Sequence, residues 1–226
     1  METTNHNVFI SYKKEDKNNG NLKRVTDVLD KYNIGYSVLD KNIDSDNIDT
    51  VISVLRKEYM HNKPVTLFII GNYSFEDTVN RWKRINGTLL NHDEYNEQSY
   101  IIRELRATLS DYNGNPRHGL LGIVMPEMIN KIYSSTYKCP KCGEEIKSID
   151  LSDDNVIREF KENYFLKSDE CGHYSADGRY CVMCTFDEFS KNPNSFINEA
   201  FDKTKKAIAK EVHYKDIKHD FKLRDK

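Results

Sequence analysis

Three short apolar runs dominate the hydrophobic pattern of the chain. They are Val8–Tyr12, Val65–Ile70 and Gly119–Met125, and each ends at a charged run, a glycine or a proline. Continuous apolar runs of this length, rich in branched and aromatic residues, are typical of strands covered on both faces in a parallel sheet. A weaker run, Tyr36–Leu39, predicts a fourth strand, and Tyr180–Thr185 predicts a last one.

Between these runs, apolar residues recur at helical spacing. The four stripes are Leu22, Val25, Leu29 and Tyr32; Val51, Val54 and Leu55; Ile101, Ile102, Leu105 and Leu109; and Phe196, Ile197, Ala200, Phe201, Thr204 and Ile208. Asn192 and Pro193 are a plausible cap and first-turn proline for the last helix. Strands alternating with helices predict an α/β domain with a central parallel sheet of about five strands flanked by helices.

Composition and charge narrow the class of protein. The 226 residues are 38% apolar and 31% charged, with a net charge of -2, which suits one globular domain that needs no disulfides. Acidic and basic residues are interspersed, so we expect no nucleic-acid partner. The polar start and the absence of a long apolar run predict no secretion signal and no membrane span, and therefore a cytoplasmic protein.

The region 134–180 interrupts the strand and helix alternation, and we predict a cysteine-rich insertion ahead of the last strand. Cys139-Pro-Lys-Cys142 has the spacing of a zinc knuckle, and a tetrahedral site needs two further ligands. The candidates that follow are Cys171, His173, Cys181 and Cys184. The second two-residue gap, Cys181 to Cys184, is the obvious pairing, but residues three apart on a straight strand point to opposite faces.

We therefore predict a structural zinc site formed by Cys139, Cys142, Cys171 and Cys181, with His173 as an alternative ligand. Two other readings of the five cysteines stay open: reduced, partly buried thiols, and a redox-active pair. The histidines His92 and His118 show no ligand spacing.

Four segments in order resemble motifs of the TIR domain family. Asn7–Tyr12 resembles the first TIR strand, and Ser99–Leu105 resembles the later motif in which an aromatic residue precedes a glutamate and a leucine. Leu120–Pro126 resembles the strand that follows, and Thr185–Phe189 resembles the opening of the final helix. This sequence has Tyr100 where the family often has tryptophan. Bacterial TIR proteins, including the TIR subunits of Thoeris antiphage systems, are the relatives suggested.

The resemblance implies a flavodoxin-like TIR fold over residues 1–210, followed by a polar tail at 211–226. It implies an NAD-consuming enzyme, an NAD glycohydrolase or ADP-ribosyl cyclase, whose ADP-ribose-derived signal activates a separate effector protein in antiphage defence. TIR domains also act by self-assembly, so the resemblance implies other copies of the TIR domain as a second partner.

The resemblance makes Glu104 the catalytic residue and assigns NAD contacts to Phe9, Ser11, Tyr12 and Tyr100. Ligands of open parallel sheets bind beyond the carboxyl ends of the strands, where Ser11, Tyr12 and the segment 40–47 are expected. Tyr100 and Glu104 are four residues apart and share a helix face. Cleaving the bond between ribose and nicotinamide expels a neutral group, so the chemistry needs one carboxylate to stabilise the oxocarbenium ion.

Two other functions remain open at this point: a TIR adaptor that acts by assembly alone, and a nucleotide sensor that binds without turnover. An adaptor is expected to have Glu104 in a salt bridge and a filled cleft, whereas an enzyme or a sensor needs an open pocket. The sequence contains no glycine-rich dinucleotide fingerprint after the first strand and no phosphate-binding P-loop motif, which disfavours a hydride-transferring enzyme and excludes a P-loop NTPase.

Overall fold

The computed structural model describes residues 6–214 except 41, 42, 44, 46, 47, 76, 77, 86, 87, 96–98 and 113. For Ile48 and for the strands between 78 and 95 it describes the backbone alone. The predicted polar tail, 211–226, lies outside the described residues from position 215 onward.

The described residues form nine strands. They are β1 (Val8–Ser11), β2 (Tyr36–Val38), β3 (Val65–Ile70), β4 (Thr78–Ile85), β5 (Thr88–Tyr95), β6 (Gly119–Val124), β7 (Tyr133–Lys138), β8 (Glu145–Ile149) and β9 (Val182–Thr185). The α-helices described are α1 (Lys14–Asn18), α2 (Asn21–Lys31), α3 (Ile48–Val54), α4 (Tyr100–Leu109), α5 (Ile129–Ile132), α6 (Arg158–Tyr164), α7 (Phe186–Lys191) and α8 (Pro193–Lys203).

Five of these strands form one parallel sheet in the order β2-β1-β3-β6-β9. Counted along the chain, this is the 2-1-3-4-5 order of flavodoxin-like folds. The predicted α/β class, with a central parallel sheet flanked by helices, is therefore confirmed. The predicted strands at 8–12, 36–39, 65–70 and 119–125 are all present to within one residue, whereas the last strand begins at Val182 rather than Tyr180.

Alternating side chains of the central strands fill two separate cores. On β3, Leu67 and Ile69 pack with helix α2 and helix α8 on one face. Phe68 and Ile70 pack with helices α4 and α6 on the other. Every residue of β3 and β6 is buried, which explains why both strands are continuous apolar runs in the sequence.

The helix α8 begins as predicted. Asn192 is its cap and accepts a hydrogen bond from the backbone N–H of Ser195, and Pro193 occupies the first turn. The helix ends at Lys203, and Ile208 lies in a separate 3-10 turn, Ala207–Glu211. The predicted helix, whose apolar stripe included Ile208, is therefore longer than the observed one.

The region predicted as an insertion, 134–180, contains two different structures. The strands β7 and β8 form an antiparallel hairpin outside the main sheet. Helix α6 instead packs on the sheet, with Phe160 fully buried and its ring centroid 5.5 Å from that of Phe68. Helix α6 is thus the helix of the crossover from β6 to β9 and belongs to the main fold.

A second antiparallel pair, β4 with β5, lies between β3 and α4. The sequence analysis predicted no strand there, because the segment lacks an apolar run. Within the described part of the chain, no helix has the length and apolar character required to cross a bilayer.

Candidate active site and metal centre

A cleft of about 390 Å³ opens at the carboxyl ends of β1 and β2. This is the edge at which open parallel sheets bind their ligands. Its volume falls within the range of about 300–1,000 Å³ usual for small-molecule sites. The lining residues come from the β1 end, α1, the β2 end and α4: Tyr12, Lys14, Lys17, Asn18, Leu39, Asp40, Tyr100 and Glu104.

Glu104 forms the inner wall of this cleft. It lies on α4, and the residues on either side of it in sequence, Arg103 and Leu105, are also buried. The side chain is only 5% exposed, and its Oε2 accepts a 2.6 Å hydrogen bond from the Oγ of Ser11. Ser11 ends β1, so the sheet and the helix together fix the position of the carboxyl group.

Burial raises the pKa of Glu104 to about 8, from the ordinary 4.5. The hydrogen bond from Ser11 and the positive charge of Lys13 both act in the opposite direction, but desolvation is the largest effect. In the described part of the chain, no lysine or arginine lies within ion-pair distance of Glu104. A strongly shifted carboxyl group in a cleft is the kind of group found at functional sites.

Tyr12 and Tyr100 line the cleft together with Glu104. Burial, followed by the charges of Glu104 and Asp40, raises the pKa of Tyr12. Tyr100 lies one helical turn before Glu104, and its hydroxyl donates a 3.2 Å hydrogen bond to the carbonyl of Ile43. Helix α4 therefore holds both the carboxyl group and part of the loop that follows β2, whose residues 41, 42, 44, 46 and 47 lie outside the described set.

Phe9 and Ser11 do not line the cleft, so the ligand contacts predicted for these two residues have no support in its geometry. Phe9 points to the face of β1 that packs against Val51, Leu55 and Met60, and it has no exposed surface. Ser11 is also fully buried and holds Glu104 instead. Phe9 is a core residue, and Ser11 positions the carboxyl group.

Helix α1 also contributes to the cleft, which the motif residues did not predict. Lys14, Lys17 and Asn18 line it, and both lysines are exposed. The signal for them was their place directly after the first strand, at the edge where ligands of parallel sheets bind. The two lysines add positive charge to the cleft.

Four candidate metal ligands converge in the cysteine-rich region. One ligand atom from each of Cys139, Cys142, Cys171 and His173 lies within 4.8 Å of the other three. A cluster of three thiols and one imidazole can hold a metal ion, and it precedes the last strand as predicted.

Tight turns bring these ligands together. Gly143 has φ 76° and donates its N–H to the carbonyl of Cys139, which closes the first turn. The Oδ1 of Asp169 accepts hydrogen bonds from the backbone N–H groups of Cys171 at 2.9 Å and His173 at 2.8 Å, which folds the second ligand segment. Backbone N–H groups of Cys142 and Lys141 lower the pKa of the Cys139 thiol to about 7.

The carboxylate of Asp169 also faces the imidazole. Its Oδ2 lies 3.6 Å from the Nδ1 of His173. Metal-bound histidines commonly direct their second ring nitrogen towards a carboxylate, which orients the ring. Asp169 therefore shapes the segment and faces the ring of the same ligand.

The predicted ligand Cys181 is not in the cluster. It is 1% exposed, and its thiol donates to the carbonyl of Phe160 at 3.7 Å inside the core. Cys184, on β9, packs in the core on the other face of the sheet. His173 takes the place that the prediction gave to Cys181, because Cys181, just before β9, and Cys184, on β9, lie in the cores on opposite faces of the sheet.

A larger cavity, about 680 Å³, lies between the β7–β8 hairpin and the end of α6. It shares no lining residue with the cleft at Glu104. We identify the candidate active site by the shifted carboxyl group at the carboxyl edge of the sheet, and not by cavity size.

Comparison with protein-family models, with curated proteins and with solved structures finds no match to this chain. The resemblance to TIR domains therefore rests on the motif residues of the sequence alone.

Proposed function

We propose that this protein is a TIR-type enzyme that cleaves NAD between ribose and nicotinamide, with Glu104 as the catalytic residue. The observation that carries the proposal is the position of Glu104: a nearly buried carboxyl group without an ion-pair partner among the described residues, at the inner wall of an open cleft. A salt-bridged glutamate in a filled cleft would have favoured the adaptor function.

The surroundings of Glu104 suit a dinucleotide with a positively charged nicotinamide ring. The two exposed lysines of α1, Lys14 and Lys17, supply charge for the pyrophosphate. Tyr12 and Tyr100 offer aromatic surface and hydroxyl groups beside the carboxyl group. The cationic ring also favours the ionised form of Glu104 once the substrate is bound, because opposite charges nearby lower the pKa of a carboxyl group.

The reaction needs no acid for the leaving group. The C1′–N bond breaks, its electron pair stays on the nicotinamide nitrogen, and neutral nicotinamide leaves. The Glu104 carboxylate stabilises the positive charge that develops on the ribose, and Ser11 holds that carboxylate in place. Water then adds to C1′ and releases a proton in hydrolysis, or a nitrogen of the adenine ring adds in cyclisation.

The decisive experiment incubates purified protein with NAD and identifies the products by mass spectrometry. It compares the native chain with Glu104→Gln and with a control, Glu15→Gln, which removes an exposed carboxylate of α1 that does not line the cleft. We expect Glu104→Gln to lower nicotinamide release by a factor of about 100 or more. Glu15→Gln should release nicotinamide at the native rate.

The assay includes protein concentrations high enough for assembly and a lysate of infected cells as a trigger. Nicotinamide release that survives in Glu104→Gln would contradict the assigned role. NAD binding without release under every condition would support the nucleotide sensor, and neither binding nor release would support the adaptor.

The wider role follows from the TIR resemblance and is proposed with it. The ADP-ribose-derived product would diffuse to a separate effector protein, in the manner of an antiphage signal in the cytoplasm. The second product in the mass spectrum, either ADP-ribose or a cyclic or conjugated form, identifies the signal.

We also propose that the cluster formed by Cys139, Cys142, Cys171 and His173 holds a structural zinc ion. Three thiolates and one imidazole form a common zinc ligand set, and four protein ligands leave no open position for catalysis. Elemental analysis should find one zinc per chain in the native protein and in Cys184→Ala, and much less in Cys142→Ser. Equal zinc in Cys142→Ser and the native protein would contradict the assignment.

A further inference from the structure

A further cavity of about 230 Å³ lies at the amino edge of the sheet, opposite the cleft at Glu104. Its walls come from the turn before β3, the segment before β6 and the end of α8. It shares no residue with the cleft at Glu104 or with the metal-ligand cluster.

The lining of this cavity is positively charged. Arg56, Lys63 and Arg117 contribute cationic groups, and the described residues that line the cavity include no aspartate or glutamate. Of the three cations, Arg117 is paired with Asp111 at 2.6 Å just outside the cavity. Lys63 is only half-buried, and its Nζ donates to a backbone carbonyl, that of His61 at 3.3 Å, rather than to a carboxylate.

Arg56 carries a buried guanidinium group in which one nitrogen has no hydrogen-bond partner among the described residues. The residue is 6% exposed, and its Nη2 donates to the carbonyls of Asn115 at 3.1 Å and Pro116 at 2.7 Å. Among the described residues, its Nη1 has no hydrogen-bond partner. A buried cationic donor without a partner is costly, and it calls for a water molecule or an anion.

His118 adds a second buried side-chain nitrogen to the same cavity. Its Nδ1 is buried and, among the described residues, has no hydrogen-bond partner. Burial, together with the charge of Arg56, lowers the pKa of His118 to about 3, so the ring is neutral and carries one N–H donor at physiological pH.

The backbone around the cavity is also unusual. Arg56 lies in a π-helical turn, Leu55–Tyr59, a rare conformation that often occurs at functional sites. Asn62, which lines the cavity, has φ 58°. The chain thus adopts two uncommon conformations where it places these cations.

We propose that this cavity binds a phosphate group, with Arg56, Lys63 and His118 as its ligands. A phosphate dianion offers several acceptor oxygens to donors that line one cavity from different segments, and the planar guanidinium fork suits it. The volume admits inorganic phosphate or the phosphate end of a phosphomonoester. The proposal is independent of the NAD reaction because the two sites share no residue.

The test is isothermal titration of the full chain with inorganic phosphate, with potassium chloride at equal ionic strength as the reference. Lys63→Ala and Arg56→Lys are the variants; the second keeps the charge but removes the planar fork. We expect each to weaken phosphate binding by at least about fivefold. The matched control is Lys57→Ala, an exposed cation next to Arg56 that does not line the cavity, and it should bind phosphate like the native chain.

Circular dichroism of Arg56→Lys checks that the variant folds, and Lys63→Ala tests the proposal at a partly exposed position if it does not. Phosphate binding no stronger than chloride binding, or equal phosphate affinity in native protein and Lys63→Ala, would overturn the proposal.

Titration with a phosphomonoester separates the two sources of the phosphate group, since free phosphate alone binds if the cavity does not admit an ester. Glu104→Gln should bind phosphate normally, so failure of the NAD proposal leaves this result readable.

Discussion

The parallel sheet differs from the cysteine-rich lobe in how much of its surface is buried. The lobe consists of residues 133–149 and 167–178. In the sheet, every residue of β3 and β6 is buried. In the lobe, five of the six residues of β7 are exposed, and β8 is only partly buried. A region with so little buried apolar surface has little hydrophobic stabilisation of its own, so we expect metal binding at the four convergent side chains to be its main source of order.

The largest difference between the two regions should appear on metal removal. A chelator should raise amide hydrogen exchange in the lobe on the order of 100-fold. The reason is that the turns around Cys139 and Cys171 would lose the metal ion that joins them. Exchange in β1, β3 and β6 should stay slow. Mass spectrometry of exchanged peptides measures both regions in one sample. Equal protection of the lobe with and without chelator would show that its order does not depend on metal.

The next effect tests where the boundary between the regions lies. Phe160 follows the β7–β8 hairpin in sequence but packs in the sheet core, so Phe160→Ala should lower the free energy of unfolding by about 3–5 kcal/mol. Tyr137→Ala removes an aromatic side chain that is 48% exposed in the lobe, and should change it by less than about 0.5 kcal/mol. Urea unfolding measures both. Similar losses in the two variants would place α6 outside the main core.

The smallest effect separates function from stability inside the sheet region. The pKa of Glu104 is raised in the folded state, so its contribution to stability is present below about pH 4.5 and is lost as the pH rises through about 8. Glu104→Gln keeps an acceptor for Ser11 and has no charge to bury. At pH 9 we expect it to be more stable than the native chain by on the order of 2 kcal/mol, and similar at pH 5.

Thermal unfolding at the two pH values checks this prediction, with Glu15→Gln as the exposed control. A stability difference between Glu104→Gln and the native chain that does not change with pH would mean that Glu104 is ionised throughout. The corresponding prediction is that kcat/KM for nicotinamide release increases as the pH rises through about 8, because the carboxylate is the active form of Glu104 in the free enzyme.

The two regions also differ in how much of them could be predicted from sequence. The central strands are continuous apolar runs because both faces are covered, and such runs are the clearest local signal. The pair β4 and β5 has no such run, so pattern alone could not indicate it. Helix α6 has a helical pattern in the sequence, since Val156, Phe160 and Tyr164 recur four residues apart. The cysteines on both sides of it instead favoured the prediction of an insertion.

The same limits apply to the candidate site. Glu104 and Tyr100 were predicted from one motif, and their common helix face follows from their spacing. Lys14 and Lys17 were not predicted, because their role depends on α1 lying along the rim of the cleft. The choice between His173 and Cys181 as a ligand depends on the fold, because Cys181 and Cys184 repeat the spacing of Cys139 and Cys142 while Cys181 itself lies in the core.

Helix α6 has a consequence for the order in which the protein folds. It lies within the longest connection between neighbouring strands of the sheet, from β6 to β9, with candidate ligands on both sides of it in sequence: Cys139 and Cys142 before, Cys171 and His173 after. A long loop must be closed before β9 can pair, and a zinc ion joining both flanks of α6 would shorten the chain that remains free. The metal would then act as an assembly aid for the final strand, and the yield of complete protein would follow the supply of zinc in the cell.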